Sequence, residues 1–137
     1  MRFTVYQIAA KLEISRSSLQ QYYEKGFIQP SLERAKGKGT RSYFSLEDIY
    51  RIRIFLRLSQ LGFSLREAAE YSQALDLSIL GKGGIDWIKI TYENDRQKVS
   101  HAALGSIKAE IAKGKAEVFT IVNYSRIKEE VDRLFKA

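Results

Sequence analysis

The sequence predicts a mainly α-helical protein with one small β-hairpin, and three observations support this fold class. Residues 4–7, 45–48 and 64–67 each begin with Ser or Thr and end with Gln, Asp or Glu, the capping-box pattern of a helix N-terminus. Apolar residues recur at helical spacing after each of these starts. A basic, glycine-containing stretch at residues 34–41 precedes a short aromatic segment, as in a hairpin.

The first two predicted helices are short and adjacent. Helix 1 is predicted over residues 5–12, and Glu13 and Ile14 form a brief turn after it. Ser15 can cap helix 2, and Gly26 suits the left-handed conformation in which many helices end. Two short helices with so brief a connection predict a helix-turn-helix motif.

The second helix carries an unusual number of hydrogen-bonding side chains. A helix fits the major groove of DNA, where glutamine can pair with adenine through two hydrogen bonds and a tyrosine hydroxyl can reach a phosphate. The alternative is a solvated polar face without a ligand. The candidate DNA contacts on this helix are Arg16, Ser17, Ser18, Gln20, Gln21 and Tyr22.

The predicted hairpin has strands near residues 27–30 and 41–44 and a glycine-rich tip between them. Residues 34–41 contain four cationic side chains and no acid. Such side chains can lie along DNA phosphates and release counterions; the alternative is a mobile surface loop. The four cations are Arg34, Lys36, Lys38 and Arg41.

The C-terminal half predicts a long helix with a narrow apolar seam, because apolar residues between 85 and 121 recur near every 3.5 positions. A strand at residues 88–92 is the alternative, since Ile-Lys-Ile-Thr-Tyr alternates. A last amphipathic helix is predicted at 126–135. Trp87 and Tyr92 suit either a packing interface or a small-ligand pocket. The predicted dimer interface consists of Val99, Ala103, Ile107, Ile111, Val118 and Ile121.

Composition excludes several classes of site. The 137 residues contain no cysteine and one histidine, so thiolate and multi-histidine metal sites are not expected, nor is any metal or cofactor. The net charge is +7, with 12 basic and 8 acidic residues in positions 1–80 and 11 and 8 in the remainder. Of the functions considered, an enzymatic one has the least support in the sequence. Apolar runs are too short for a membrane span, and a cytoplasmic location is expected.

Four segments, FTVYQIAAKLEIS, LQQYYEKGFIQP, GTRSYFSLEDI and LGFSLREAAE, follow one another within residues 3–75. In this order they resemble the DNA-binding domain of MerR-type transcriptional regulators. The resemblance implies a winged helix-turn-helix domain followed by a second helix pair and a long antiparallel dimerisation helix. It also implies a homodimer that binds and distorts double-stranded DNA at a pseudo-palindromic promoter site, with RNA polymerase as a further partner. Carried over by position, it adds Thr4, Gly39 and Tyr43 to the candidate DNA contacts.

Three positions depart from the pattern of that family. Gln20 and Gln21 occupy positions where Arg-Tyr is usual, and Ser42 occupies the position of a second wing arginine. Loss of an arginine removes a charge-assisted phosphate contact. We therefore expect a different target sequence, or fewer phosphate contacts and a shallower salt dependence.

The predicted organisation is a winged helix-turn-helix domain at residues 1–75, a hinge at 76–90 and a helical dimerisation region at 91–137. The predicted function is sequence-specific, nucleoid-associated transcriptional regulation without a membrane partner. One alternative is an architectural or excisionase-like protein that bends DNA in recombination, plasmid maintenance or chromosome organisation. Another is a protein–protein adaptor that has lost DNA binding.

Overall fold

The computed structural model describes residues 1–37 and 39–136, which form two compact units. Met1–Gln73 and the C-terminal segment that begins at Glu130 form one, here called the helical unit; Ala74–Glu129 form the other, the sheet unit. The helices are α1 (Val5–Leu12), α2 (Arg16–Glu24), α3 (Leu46–Gln60), α4 (Leu65–Ala74), α5 (Leu104–Lys113) and α6 (Tyr124–Phe135). The strands are β1 (Trp87–Glu93), β2 (Arg96–Ala102) and β3 (Val118–Asn123).

All three predicted capping boxes are present. In the first, the Gln7 backbone N–H donates to the Thr4 hydroxyl at 3.4 Å, and the Thr4 N–H donates to the Gln7 side chain at 2.9 Å. Residues 45–48 and 64–67 make the same reciprocal bonds before α3 and α4. Because these bonds link residues only three positions apart, they can be predicted from the sequence.

The core of the helical unit forms where α1, α2 and α3 turn their apolar faces inward. The ring of Phe55 on α3 has two aromatic neighbours, Tyr22 edge-on at 5.2 Å and Phe27 stacked at 6.1 Å. The fully buried side chains of this core include Ile8, Leu19, Phe44, Ile49, Ile52, Phe55 and Leu58. This burial fixes which face of α2 stays in solvent.

A buried carboxylate ties the segment after α2 to the start of α3. Asp48 Oδ2 accepts hydrogen bonds from the Ser31 N–H, the Ser31 hydroxyl and the Ser45 N–H, each at 2.8 Å. Three donors satisfy a charge that would otherwise be costly to bury. Ser31, which precedes the basic loop, is therefore held at the N-terminal end of α3.

The C-terminal end of α6 completes the helical unit. Phe135 packs edge-on against Phe3 at 5.2 Å, and the Lys11 ammonium donates to the Leu134 carbonyl at 3.0 Å. In the same segment, Glu130 forms an ion pair with Arg53. The predicted last helix is confirmed, and its final turns contact residues from 77 to more than a hundred positions earlier in the chain.

The predicted hairpin is reduced to a loop closed by one bridge. Residues 27–30 form no strand; instead, Tyr43 and Glu33 exchange backbone hydrogen bonds of 2.7 and 3.3 Å. Pro30 has no N–H to donate to a ladder, and Ser31 is held by Asp48. We call residues 33–43 the wing.

The sheet unit contradicts the predicted long helix. Residues 87–93 and 96–102 form an antiparallel hairpin, and β3 pairs with the other edge of β1, which gives the strand order β2-β1-β3. Asn94 and Asp95 form its two-residue turn with φ of 52° and 59°, the left-handed conformation that tight hairpins need. The alternation at residues 88–92 is thus the signal of a strand.

The residues of the predicted seam are consequently spread over several elements. Val99 lies on β2, Ala103 precedes α5, Ile107 and Ile111 lie on α5, and the other two lie on β3. Gly114, which would weaken a continuous helix, instead ends α5 at φ 66°. The spacing near 3.5 residues was a coincidence that arose from three strands and one short helix.

Trp87 and Tyr92 do not share a pocket wall. They are five residues apart on β1, and side chains at odd separation along a strand point to opposite faces of its sheet. Of the two alternatives for these rings, the structure does not support the one in which both line a small-ligand pocket. The Tyr92 hydroxyl donates to Asp95 in the hairpin turn at 3.1 Å.

Candidate nucleic-acid interface

The first turn of α2 is held by its cap. The Ser18 backbone N–H donates to the Ser15 hydroxyl at 3.2 Å, and the Ser17 hydroxyl lies 2.8 Å from that of Ser15. Since Leu19 is fully buried, Ser17 and Gln21 lie on the exposed side of the helix, one turn apart. The sequence-predicted polar face is present on α2.

The two glutamines have different environments. Gln20 is half-buried, and its amide nitrogen donates to Glu24 one turn later at 3.1 Å. Gln21 is exposed, and its amide has no hydrogen-bond partner among the residues that the structure describes. Gln21 is therefore the glutamine whose amide is available to a base edge.

An aromatic ring on α1 supports Arg16. The Arg16 guanidinium carbon lies 4.0 Å from the centroid of the Tyr6 ring, in cation–π geometry. The Tyr6 side chain is 54% exposed, so the pair lies at the surface beside the start of α2. Sequence reasoning missed Tyr6; its signal was an aromatic residue on the polar side of an amphipathic helix.

Hydrogen bonds of Ser42 connect the wing to α2. The Ser42 side chain is 7% exposed; its hydroxyl accepts the Ala35 N–H at 2.9 Å and is hydrogen-bonded to the Tyr23 hydroxyl. The Tyr23 ring also packs against Phe44 at 6.0 Å. Ser42 therefore points inward, where an arginine could not keep its charge in solvent.

Arg41 and Tyr43, which flank Ser42, have different surroundings. Arg41 is exposed. The guanidinium carbon of Arg2 lies 3.5 Å from the centroid of the Tyr43 ring, and Arg2 also forms an ion pair of 2.8 Å with Glu33. Arg2 is a second residue that sequence reasoning missed, because its partners are some thirty or more positions away.

The Thr40 hydroxyl makes two hydrogen bonds near the tip of the wing. The Thr40 hydroxyl donates to the Gly37 carbonyl at 2.7 Å and accepts the Lys36 N–H at 2.8 Å. Gly39 has φ of 86°, a conformation that side chains other than glycine rarely adopt. The predicted contact Lys38 lies outside the described residues.

Three further predicted contacts also have partners within the protein. The Thr4 hydroxyl belongs to the capping box of α1, and the Tyr22 ring packs on Phe55. The Arg34 guanidinium carbon lies 5.8 Å from the centroid of the Tyr23 ring. These side chains contribute to local structure, and their contacts with DNA stay predictions.

A groove of about 170 Å³ joins the start of α1, the middle of α2 and the wing. It brings together polar side chains that are up to about forty positions apart in the chain. The residues that line it include Thr4, Tyr6, Gln20, Tyr23, Thr40, Arg41 and Ser42. Several predicted site residues therefore share one surface with Tyr6.

Tyr71, which is not among the predicted DNA contacts, has a raised pKa. Burial raises the pKa of the Tyr71 hydroxyl on α4, and the nearby Glu67 and Glu70 carboxylates raise it further. The phenol therefore remains neutral at ordinary pH. Because it is a structural aromatic residue packed edge-on against Phe63 at 5.7 Å, we assign it no part in recognition.

Residues 3–75 match a family model described as MerR HTH family regulatory protein. The match spans the four segments from which the resemblance was drawn and covers slightly more than half of the chain. A comparison with curated proteins found no match. Within the described residues, no helix has the length and hydropathy needed to cross a bilayer, and no cluster of three or more His, Asp or Glu side chains could hold a metal ion.

Proposed function

The chain belongs to the MerR family of helix-turn-helix regulatory proteins, and we propose that it acts as a homodimer on a pseudo-palindromic promoter site. Regulators of this family bind DNA to control transcription and are not enzymes. The proposal adds the dimer, the symmetry of the site, distortion of the DNA and RNA polymerase as a promoter partner. Chromosomal binding would also associate the protein with the nucleoid.

The observation that carries the proposal is the connection of α2 to the wing. The Tyr23–Ser42 hydrogen bond holds the two elements together, and both contribute to one groove with exposed polar and cationic groups at its edge. A helix in the major groove and a wing along the phosphates would use these groups at once. In this arrangement, Gln21 contacts a base edge and Arg41 contacts a phosphate.

A dimer remains part of the proposal, with a revised set of contact residues. Ile107 is 2% exposed and belongs to the core of the sheet unit, so it is removed from the predicted interface. Ile111, Val118 and Ile121 are exposed large apolar residues, as is Leu104, which sequence reasoning missed. β3 is also an edge strand with an unpaired side. Such a strand can pair with another chain.

The oligomeric state is tested by light scattering of the full chain at micromolar concentration. A dimer mass is expected, and Ile111→Glu should shift the mass toward the monomer because a charge would enter the interface. Ile79→Glu is the matched control, since Ile79 is an exposed isoleucine of the same unit outside the predicted set. A monomer mass for the unmodified chain would reject the dimer.

DNA selection with purified protein, followed by a salt series on the selected sequence, tests the function. An enriched inverted repeat supports a dimeric sequence-specific regulator and gives the spacing of its half-sites. Steep salt dependence without an enriched sequence would instead support the architectural alternative. Absence of binding in low salt would overturn the proposal.

Arg41→Ala provides the matched test of the wing. The variant should weaken binding to all DNA sequences, and the slope of log K against log salt should fall by about 0.9 for one lost phosphate contact. Arg66→Ala is the control, because Arg66 is an exposed arginine on α4 of the same unit. Equal slopes for the two variants would exclude the proposed role of Arg41.

A further inference from the structure

The sheet unit contains a cavity of about 210 Å³, and its lining shares no residue with the candidate nucleic-acid interface. It forms where one face of the sheet meets the C-terminal end of α5. Strands β1 and β2, helix α5 and the turn after it all contribute side chains. The cavity is lined by Lys89, Thr91, Glu93, Lys98, Glu110, Lys113, Lys115 and Ala116.

The strand register explains why these side chains converge. Lys89, Thr91 and Glu93 alternate along β1, so they point to the same face of the sheet. Lys98 on β2 is directly opposite Thr91, and Lys89 forms an ion pair with Glu110 of α5. These contacts identify the face of the sheet that α5 covers.

The cavity has an excess of positive charge. The Glu110 carboxylate neutralises Lys89, whereas Lys98, Lys113 and Lys115 make no ion pair among the described residues. Three further ammonium groups therefore surround a cavity whose other carboxylate is that of Glu93. Four ammonium groups and two carboxylates line the cavity, and this excess of positive charge would favour an anion there.

The floor of the cavity supplies a second, independent feature. Thr91 is a polar side chain that is only 8% exposed. Its hydroxyl has no hydrogen-bond partner among the described residues, although the side chain lines the cavity. A hydroxyl without a partner inside the protein can donate to or accept from a ligand in the cavity.

We propose that this cavity, here called the lysine cavity, binds a small phosphate-bearing molecule. Its volume is below the roughly 300 Å³ at which pockets for drug-sized ligands begin, and no aromatic side chain lines it. Both features favour a compact, polar ligand over a large apolar one. Lysine ammonium groups bind phosphate as point charges, and the Thr91 hydroxyl would donate to a phosphate oxygen.

Titration calorimetry of the full chain with inorganic pyrophosphate tests the proposal, with sodium chloride at matched ionic strength as the blank. Saturable binding of one pyrophosphate per chain is expected. Lys98→Gln combined with Lys115→Gln should weaken it at least about tenfold, because two charges close to the ligand are removed. Both lysines are exposed, so these changes leave the fold intact.

Two matched controls separate the cavity from general charge effects. Lys82→Gln combined with Lys108→Gln removes two exposed lysines of the same unit that do not line the cavity, and it should leave pyrophosphate affinity unchanged. Equal weakening by both lysine pairs would overturn the proposal, since it would indicate non-specific attraction.

The hydroxyl is tested by Thr91→Val, which keeps the shape of the side chain. Weaker pyrophosphate binding is expected, whereas Thr120→Val should have no effect because residue 120 faces the opposite side of the sheet. Absence of pyrophosphate binding would overturn the proposal. If the variant with Lys98→Gln and Lys115→Gln then also bound DNA more weakly, these lysines would contact DNA instead. The lysine cavity does not depend on the proposed function, so either can fail alone.

Discussion

The hydroxyl of Tyr23 on α2 is hydrogen-bonded to the hydroxyl of Ser42 in the wing. Nineteen positions separate these residues, yet the bond joins the two elements that would contact DNA. The same Ser42 oxygen accepts the Ala35 N–H, so both arms of the wing are held at this point. A part-buried polar contact thus links the wing to α2.

Tyr23→Phe tests this coupling, because it keeps the ring packed on Phe44 and removes only the hydroxyl. We expect a loss of stability of about 1 kcal/mol, the usual net value of one hydrogen bond. DNA affinity should fall as well, because the wing is held less firmly. Urea unfolding and DNA titration measure the two effects.

The control for Tyr23→Phe is Tyr92→Phe in the sheet unit, which removes a hydroxyl bonded to the exposed Asp95. This variant should retain DNA affinity. If Tyr23→Phe also bound DNA like the unmodified protein, the hydrogen bond would have no role in positioning the wing.

Ser42→Arg introduces the residue that is usual in the family. We expect it to destabilise the protein by about 2 kcal/mol or more, because a long charged side chain would enter a buried position and two hydrogen bonds would be lost. Ser42→Ala separates the two causes, since it removes the hydrogen bonds without adding charge. Thermal unfolding of Ser42→Arg at or above the temperature of the unmodified protein would contradict the expectation.

Gln21→Ala should relax the preference for one base pair, by about 1–3 kcal/mol if the amide makes a bidentate contact. Gln20→Ala is the comparison. The Gln20 amide already donates to Glu24, so this substitution should change base preference less than Gln21→Ala does. DNA selection with each variant measures the change. An unaltered selected sequence for Gln21→Ala would exclude a base contact.

Phe135→Ala should destabilise the helical unit by about 3 kcal/mol, the usual cost of a phenylalanine-sized cavity. Phe135 is buried and packs on Phe3, so the C-terminal segment contributes to the core of the helical unit. Arg133→Ala, an exposed change in the same segment, is the control. Similar urea midpoints for the two variants would refute this role.

Much of the helical unit was predictable because its signals are local. The three capping boxes link residues three apart, and Ile8, Leu19 and Ile52 follow the spacing of amphipathic helices. The order of these elements also supported the family resemblance, which the family model confirms for residues 3–75. The polar face of α2 followed from the same reasoning.

The predictions that failed concern contacts between distant parts of the chain. The apolar spacing of residues 85–121 fitted a helix, but β1 is a strand because partners at 96–102 and 118–123 satisfy its backbone. The inward position of Ser42 depends on its hydrogen bond with Tyr23, and the contact of Tyr6 with Arg16 joins α1 to the start of α2. No local pattern specifies such pairs.

The sequence by itself determined where the helices of residues 1–75 begin, which of their faces is apolar and which family the chain resembles. The tertiary structure alone decided the sheet, the buried Ser42, the lysine cavity and the return of residues 130–135 to the helical unit. The physical reason is the range of the interactions. Helix caps and helical spacing act within one or two turns, whereas strand pairing and core packing depend on residues that only the folded chain brings together.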